Sequence, residues 1–334
     1  MTHPALNTRF TQRFHLTTPL ALAPMALATG GALAAASAQA GALGLLGGGY
    51  GDLAWTQREY TLANALLQDD AASHARLGCG FITWKLDENA DALDWVLTQK
   101  PCAIMLSFGD PRPYAVHIAE AGAQLICQVQ RLDQVPQAIE AGASVIVAQG
   151  GEAGGHGASA LEGRSTFTLV PEIADYLTTH SPNTLLLAAG GVADGRGLAA
   201  ALMLGADGAL VGSRLWATTE SLAATGAKTQ ATHTSGDGTA RSEVFDILRR
   251  KNWPAPYDFR AIRNDLHRTL ENDIAGLKAN PDAARADYDA GVKAGDFTRA
   301  HATVGEGVGL ITDIPTAQIL LKRITQQAQD LLPQ

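Results

Sequence analysis

Between Leu20 and about Ala224 the chain alternates short, nearly unbroken apolar runs with longer stretches of helical periodicity. The runs are LALAPM (20–25), LGLLGG (43–48), LGCGFITW (77–84), CAIMLSF (102–108), QLICQV (124–129), SVIVAQG (144–150), TLLLAAGG (184–191) and GALVGS (208–213). Successive side chains of a strand point to opposite faces of its sheet, so a run that is apolar at every position predicts a strand buried on both sides. Such strands separated by helices predict a parallel α/β sheet. Eight of them in this span predict a (β/α)8 TIM barrel with a C-terminal helical subdomain, and a doubly wound open sheet is the alternative. The segments EAGAQLICQ (120–128), EAGASVIVA (140–148) and LGADGALVG (204–212) repeat one theme, in which a helix ends, a glycine caps it and the next strand starts.

The pattern divides the chain into three parts. Residues 1–224 form the barrel, 225–304 an inserted or appended helical subdomain and lid, and 305–334 a C-terminal loop and a helix packing on the barrel. Within the second part, WPAPYDFRAIRNDLHRTL (253–270) reads as a loop leading into an amphipathic helix and YDAGVKAGDF (288–297) as a second helical piece. In the third, a helix starting near Pro315 carries Ile319, Leu320, Ile324 and Leu331 on one side. Near the N-terminus, Arg9, Arg13 and the small-residue segment ASAQA (36–40) imitate a secretory leader. Pro19, Pro24, Gly30 and Gly31 interrupt the apolar stretch, which therefore reads as a buried strand followed by a helix of small residues.

Composition narrows the partners. With 334 residues, 46% of them hydrophobic, the chain supports a large core, and its formal charge of -8 argues against nucleic acid or an anionic membrane, both of which attract clustered cations. Cys79, Cys102 and Cys127 are odd in number and sit in apolar runs, which predicts reduced thiols and a cytoplasmic location. The histidines show no metal-ligand spacing, so no metal is assigned. A homodimer is left open.

A barrel of this kind builds its active site at the C-terminal ends of its strands. After the seventh run comes AAGGVADGRG (188–197), where Gly190 and Gly191 allow close backbone approach and Ala193–Asp194 begin a helix whose free N–H groups suit a phosphate. After the eighth, Gly212 and Ser213 repeat the device with an added hydroxyl. Neither a dinucleotide-binding GxGxxG nor a Walker sequence is present. After the sixth comes AQGGEAGGHGA (148–158): Gln149 places an amide at the strand tip, Gly154 and Gly155 let the loop lie flat, and His156 stands where a catalytic imidazole would serve.

Four segments, APMALATGGALAAASAQAGALGLLGGG (23–49), AQGGEAGGHG (148–157), AAGGVADGRGLAAALMLGADGALVGSRLWATTE (188–220) and GEGVGLITDIPTAQ (305–318), resemble in order those of the nitronate monooxygenase family, once called 2-nitropropane dioxygenases. The likeness covers nearly the whole chain and implies FMN as cofactor. It places Met25 against the flavin ring, Gln149 near its polar edge, Gly154 in support, Gly190, Gly191, Gly212 and Ser213 on the phosphate, and His156 as the catalytic histidine. The implied reaction oxidises a nitronate with O2 to a carbonyl compound and nitrite, with His156 as general base when the substrate is a neutral nitroalkane. The scaffold is also similar to NAD(P)H-dependent FMN reductases of quinones or enoyl thioesters, and a flavin-binding barrel without turnover is a further alternative. This chain has GSRL (212–215) where the family often has GTRF, and GHGA (155–158) where it often has GHRG, which removes a cation from the substrate side. Glu152 is a candidate to orient the imidazole. The stretch HTSGDGTARSEVFD (233–246) reads equally as a lid or a surface connection, and Trp84 and Lys85 as cavity wall or packing.

Overall fold

The computed structural model describes residues 6–332. Each of the eight apolar runs forms a parallel strand: β1 (Leu20–Leu22), β2 (Gly44–Gly49), β3 (Leu77–Ile82), β4 (Ala103–Ser107), β5 (Gln124–Val129), β6 (Val145–Gln149), β7 (Leu185–Ala189) and β8 (Gly208–Val211). They pair in sequence order, and β8 lies beside β1 with Leu20 opposite Ala209 and Leu22 opposite Val211. A single parallel bridge between Ala21 and Leu43 brings β1 to β2 and the sheet round on itself. The architecture is therefore a TIM barrel, not an open doubly wound sheet.

Two apolar layers explain why the runs lack alternation. Ala21, Leu45, Met105, Val147, Leu187 and Leu210 point into the barrel, whose lower end is closed by Phe10 and Phe14 of the helix Arg9–Phe14. Their neighbours Leu22, Leu46, Ile104, Ile146, Leu186 and Val211 point outward into the layer shared with the helices. Both faces of each strand are thus removed from water. The repeated glycine theme has a backbone cause: Gly122, Gly142 and Gly205 follow helices with φ of 78°, 81° and 94°, the left-handed conformation that ends a helix.

The C-terminal part is not purely helical. The strand Gly155–Ala158 leaves the top of β6 and pairs antiparallel with Tyr257–Ile262, which pairs in turn with Thr239–Ser242. YDFRAI (257–262) alternates too briefly to outweigh the prolines before it, and Thr239–Ser242 is polar and half-buried, so neither signals a strand without its partner. Val244, Phe245, Leu248, Phe259, Leu266 and Tyr288 build a small core beneath this sheet and the helices Val244–Leu248, Asp265–Leu270 and Asp282–Ala294. The last helix, Ala317–Leu331, buries Leu320, Leu321, Ile324 and Ala328, while the predicted face members Ile319 and Leu331 are exposed. It lies so close to the helix Gly195–Met203 that a Cβ on Gly195 would overlap Gln327.

Candidate active site

A cavity of about 660 Å³ opens at the C-terminal ends of the strands. Met25, Gln149, Gly154, His156, Gly190, Gly191, Gly212 and Ser213 all line it. The loop after β1 reaches over the barrel because the neighbouring strands carry glycine where it crosses: a Cβ on Gly80 would overlap Pro24, and one on Gly47 would overlap the Met25 carbonyl. Thr29 holds that loop, its Oγ1 accepting from Met25 N at 3.2 Å and donating to the Ala23 carbonyl at 3.0 Å.

One end of the cavity is built of backbone. Gly190 and Gly191 adopt φ of 109° and 72°, and a Cβ on Gly212 would come into ordinary contact with Ala23 Cβ at 3.7 Å and Met25 Sδ at 3.8 Å. Ser213 Oγ accepts from Gly305 N at 2.8 Å, which leaves its own hydrogen to donate and ties the C-terminal loop to this end. Bare backbone and a hydroxyl around a Cβ-free cradle fit an anionic phosphate. The helix after β7 does not contribute as the sequence suggests. Asp194 caps it, accepting from Arg196 N at 2.9 Å and Gly197 N at 3.3 Å, while Gln327 Oε1 takes Gly195 N at 3.1 Å. Those N–H groups are already used.

Gln149 is buried at the tip of β6. Its Nε2 donates to the His156 carbonyl at 2.9 Å, and its Oε1 accepts from Gln128 Nε2 at 3.0 Å and Gln130 Nε2 at 2.9 Å. The amide therefore fixes the loop that carries the imidazole. Gly154 lies against the C-terminal loop, where an added Cβ would stand 2.5 Å from Gly305 N.

His156 is buried, with 9% of its surface exposed. Its Nε2 lies 3.0 and 2.9 Å from the two oxygens of Asp246, and its ring stacks on Trp253 with centroids 3.4 Å apart and planes 11° from parallel. Phe259 closes another side at 4.8 Å. Burial, reinforced by Arg249 and Arg241, holds the imidazole well below its ordinary pKa. Burial pushes Asp246 up to about 7, partly offset by Arg249. Glu152 does not touch the ring. It accepts from Thr166 N, Thr166 Oγ1 and Ser165 Oγ at 2.8 to 3.0 Å and so holds the start of the helix Thr166–His180.

Two wall residues, and one buried behind the wall, carry no local mark in the sequence. Asp246 stands at the end of the stretch left between lid and surface connection. Trp253 lies in the loop before the strand Tyr257–Ile262, stacked on His156 and edge-on to Trp84 at 5.5 Å. His301 lines the cavity with its Nδ1 2.7 Å from the Tyr288 hydroxyl, and burial lowers its pKa to about 3. No spacing rule links these positions to residue 156; they meet only because Tyr257–Ile262 pairs with Gly155–Ala158. Leu27 and Phe108 also line the cavity with positive φ, 62° and 66°, a strained backbone that costs each about 1 kcal/mol or more. Among the described residues no cluster of three or more His, Cys, Asp or Glu is placed to hold a metal, the three cysteines are free, and no helix is long and apolar enough to cross a membrane.

Comparison with known proteins gives a consistent result. A family model described as nitronate monooxygenase matches residues 7–327. The chain is 34% identical to nitronate monooxygenase npaC of Metarhizium robertsii, over 93% of this chain and 90% of that one. It is 30% identical to a nitronate monooxygenase of Neurospora crassa, over 92% and 88%. Among solved structures, FabK from Thermotoga maritima superposes with a TM-score of 0.80 at 26% identity, covering 97% of both chains. A nitroalkane oxidase from Streptomyces ansochromogenes superposes at 0.78 and 22% identity, over 96% and 98%, a likeness of fold.

Proposed function

The chain belongs to the nitronate monooxygenase family, and from that membership we propose that it is an FMN-dependent enzyme oxidising alkyl nitronates with O2 to carbonyl compounds and nitrite. The observation that carries this reading is one cavity with a backbone cradle at one end and, in its wall, His156 backed by the buried Asp246. Gly190, Gly191, Gly212 and Ser213 are the residues to hold the FMN phosphate, with Met25 and Gly154 against the ring and Gln149 near its polar edge. When bound, FMN supplies the electron transfer between nitronate and O2 that no side chain can perform.

The protein's own task is to bind and to manage a proton. Asp246 engages Nε2, so Nδ1 is the ring nitrogen left for the cavity. With Asp246 ionised, its carboxylate accepts the Nε2–H, and the Nδ1 lone pair is free to take the α-proton of a neutral nitroalkane. The C–H electron pair then moves onto the nitro group to give the nitronate, and the imidazolium formed lies beside the Asp246 carboxylate. A nitronate supplied as such is already deprotonated and does not need this step. Trp253 and Phe259 keep bulk water from the ring. The three free cysteines support a reducing, cytoplasmic setting.

The second reading, an NAD(P)H-dependent reductase of quinones or enoyl thioesters, has the FabK likeness in its favour. Two measurements on the FMN-loaded protein separate them: nitrite release from ethyl nitronate in air, and the anaerobic flavin spectrum with nitronate, NADH or NADPH. Nitrite release and a spectral response to nitronate are expected. Rapid bleaching by a reduced nicotinamide, with no response to nitronate, overturns the proposal in favour of the reductase.

A further inference from the structure

The cavity wall holds a second imidazole that the mechanism above does not use. His301 lines the same cavity as His156, and both rings pack against Phe259, His156 at 4.8 Å and His301 at 5.9 Å between centroids. The two histidines therefore border one region of the cavity. The backbone that carries His301 is pinned on either side of it. Asn264 Nδ2 donates to the Ala300 carbonyl at 2.8 Å, and Ile262 N donates to the Ala302 carbonyl at 2.9 Å.

The protonation of this ring follows from its neighbours. Nδ1 lies 2.7 Å from the Tyr288 hydroxyl, and burial pushes that phenol up to about 12, so it keeps its proton. Tyr288 is only 5% exposed and its hydroxyl has no other partner among the described residues, so it donates to Nδ1. Burial lowers the pKa of His301 to about 3, which leaves one ring proton at neutral pH. With Nδ1 accepting, that proton sits on Nε2. Nε2 itself has no hydrogen-bond partner among the described residues and is not enclosed, so it offers an N–H to the cavity that the residue lines.

We propose that His301 is a second catalytic residue, donating from Nε2–H to a nitro oxygen of the substrate while His156 removes the α-proton. The assignment rests on the nitroalkane step proposed above and adds its electrophile. In that step the C–H bond breaks and its proton goes to His156 Nδ1. The C–H electron pair forms C=N, and an N=O pair moves onto the oxygen that faces His301. No electron is gained or lost, and His301 keeps its proton. A donor held in place meets the growing negative charge without reorganising, and a neutral imidazole is too weak an acid to lose its own proton to the nitronate.

Nitrite release from nitroethane and from ethyl nitronate by the FMN-loaded enzyme tests the assignment. His301→Leu is expected to lower kcat/KM for nitroethane about 10- to 100-fold, the range of a hydrogen bond to a charged group, and to raise the isotope effect with α-deuterated nitroethane. Ethyl nitronate brings its charge with it, so its KM should rise while kcat holds. His301→Gln, which keeps an N–H, is expected to recover part of the loss. Tyr288→Phe, which frees the ring proton to move to Nδ1, should show a smaller loss in the same direction. Equal losses of kcat on both substrates, together with lost FMN, assign His301 to structure and overturn the proposal. So does His301→Leu enzyme that turns over nitroethane like wild type. If ethyl nitronate is oxidised and nitroethane is not, the proton step and this proposal fail while the nitronate reading stands. If neither substrate yields nitrite, that reading fails, and the Kd of inorganic nitrate, measured by calorimetry, decides for the donor: a rise of about tenfold in His301→Leu upholds it and an unchanged Kd overturns it.

Discussion

Asp246 engages Nε2 of His156, and on the proposed mechanism Nδ1 is left for the substrate, a division that predicts how each substitution behaves. His156→Asn removes the base but keeps a polar group of similar reach. Turnover of nitroethane should fall about 100-fold or more, within the usual contribution of a general base, while ethyl nitronate should lose less than about tenfold and FMN content should be unchanged. Steady-state nitrite assays on both substrates decide it, and equal losses would remove the general-base role. Asp246 gives the pH dependence. Its pKa is pushed up to about 7, so below that pH its protonated oxygen donates to Nε2, the ring proton moves to Nδ1 and no lone pair faces the substrate. Above it the carboxylate accepts from Nε2–H and the base is restored. kcat/KM for nitroethane should therefore rise through about pH 7, and Asp246→Asn should abolish that rise; an unchanged profile in the variant would assign the titration elsewhere.

At the scale of elements, the site depends on two backbone segments meeting where only glycine fits. Gly154 of the loop after β6 approaches Val304 and Gly305 so closely that an added Cβ would stand 2.5 Å from Gly305 N. Gly305 N in turn donates to Ser213 Oγ at the backbone-built end of the cavity, proposed above to hold the phosphate. Gly154→Val should cost about 1–3 kcal/mol through overpacking, lower the Tm and reduce the FMN retained on gel filtration. A variant with normal Tm and full FMN would show that the 304–310 segment can retreat without consequence. The short sheet works the same way: Arg241 joins the carbonyls of Ala153, Gly155 and Asp258 across its strands and so holds the His156 strand to its partner. Its polar alternation is too brief to read from the sequence, whereas the eight barrel strands, buried on both faces, are legible as unbroken apolar runs.

For the molecule as a whole, buried histidines tilt stability with pH. Burial lowers the pKa of His156, His267 and His301, the last to about 3. Burial disfavours the charged form of each in the folded state, while the unfolded chain takes up a proton below about pH 6.5, so stability is lost as pH falls through that value. Asp246 acts in the opposite sense, since its raised pKa lets the folded state bind a proton first between about 7 and its ordinary value of 3.8. Its effect, like that of the half-buried Asp258, whose pKa is also raised, opposes that of the histidines. From pH 6.5 to 5, His301 alone should remove up to about 2 kcal/mol. Thermal melts should show Tm falling over that interval, and His301→Gln should flatten the fall; a Tm independent of pH there would contradict the buried neutral state.

The division between chain and fold follows from how far each signal reaches. Periodicity and turn chemistry act over a few residues, and by themselves they determined the eight strands, their parallel order, the glycine caps at 122, 142 and 205 and the glycine-rich strand ends. The family likeness, also read along the chain, singled out His156 and seven further positions that line one cavity. What stands opposite His156 was decided only by tertiary structure. Asp246 is 90 residues away along the chain, and neither it nor Trp253 carries a local mark of its place beside the ring. Their meeting depends on antiparallel pairing of strands too short and polar to announce themselves. Glu152, the near neighbour that local reasoning nominates to orient the ring, holds a helix start because Thr166 N and Oγ1 lie within 3.0 Å of its carboxylate. Proximity in sequence constrains where a side chain begins, while hydrogen-bond partners are chosen in space, where the need to satisfy a buried polar group selects from the whole molecule.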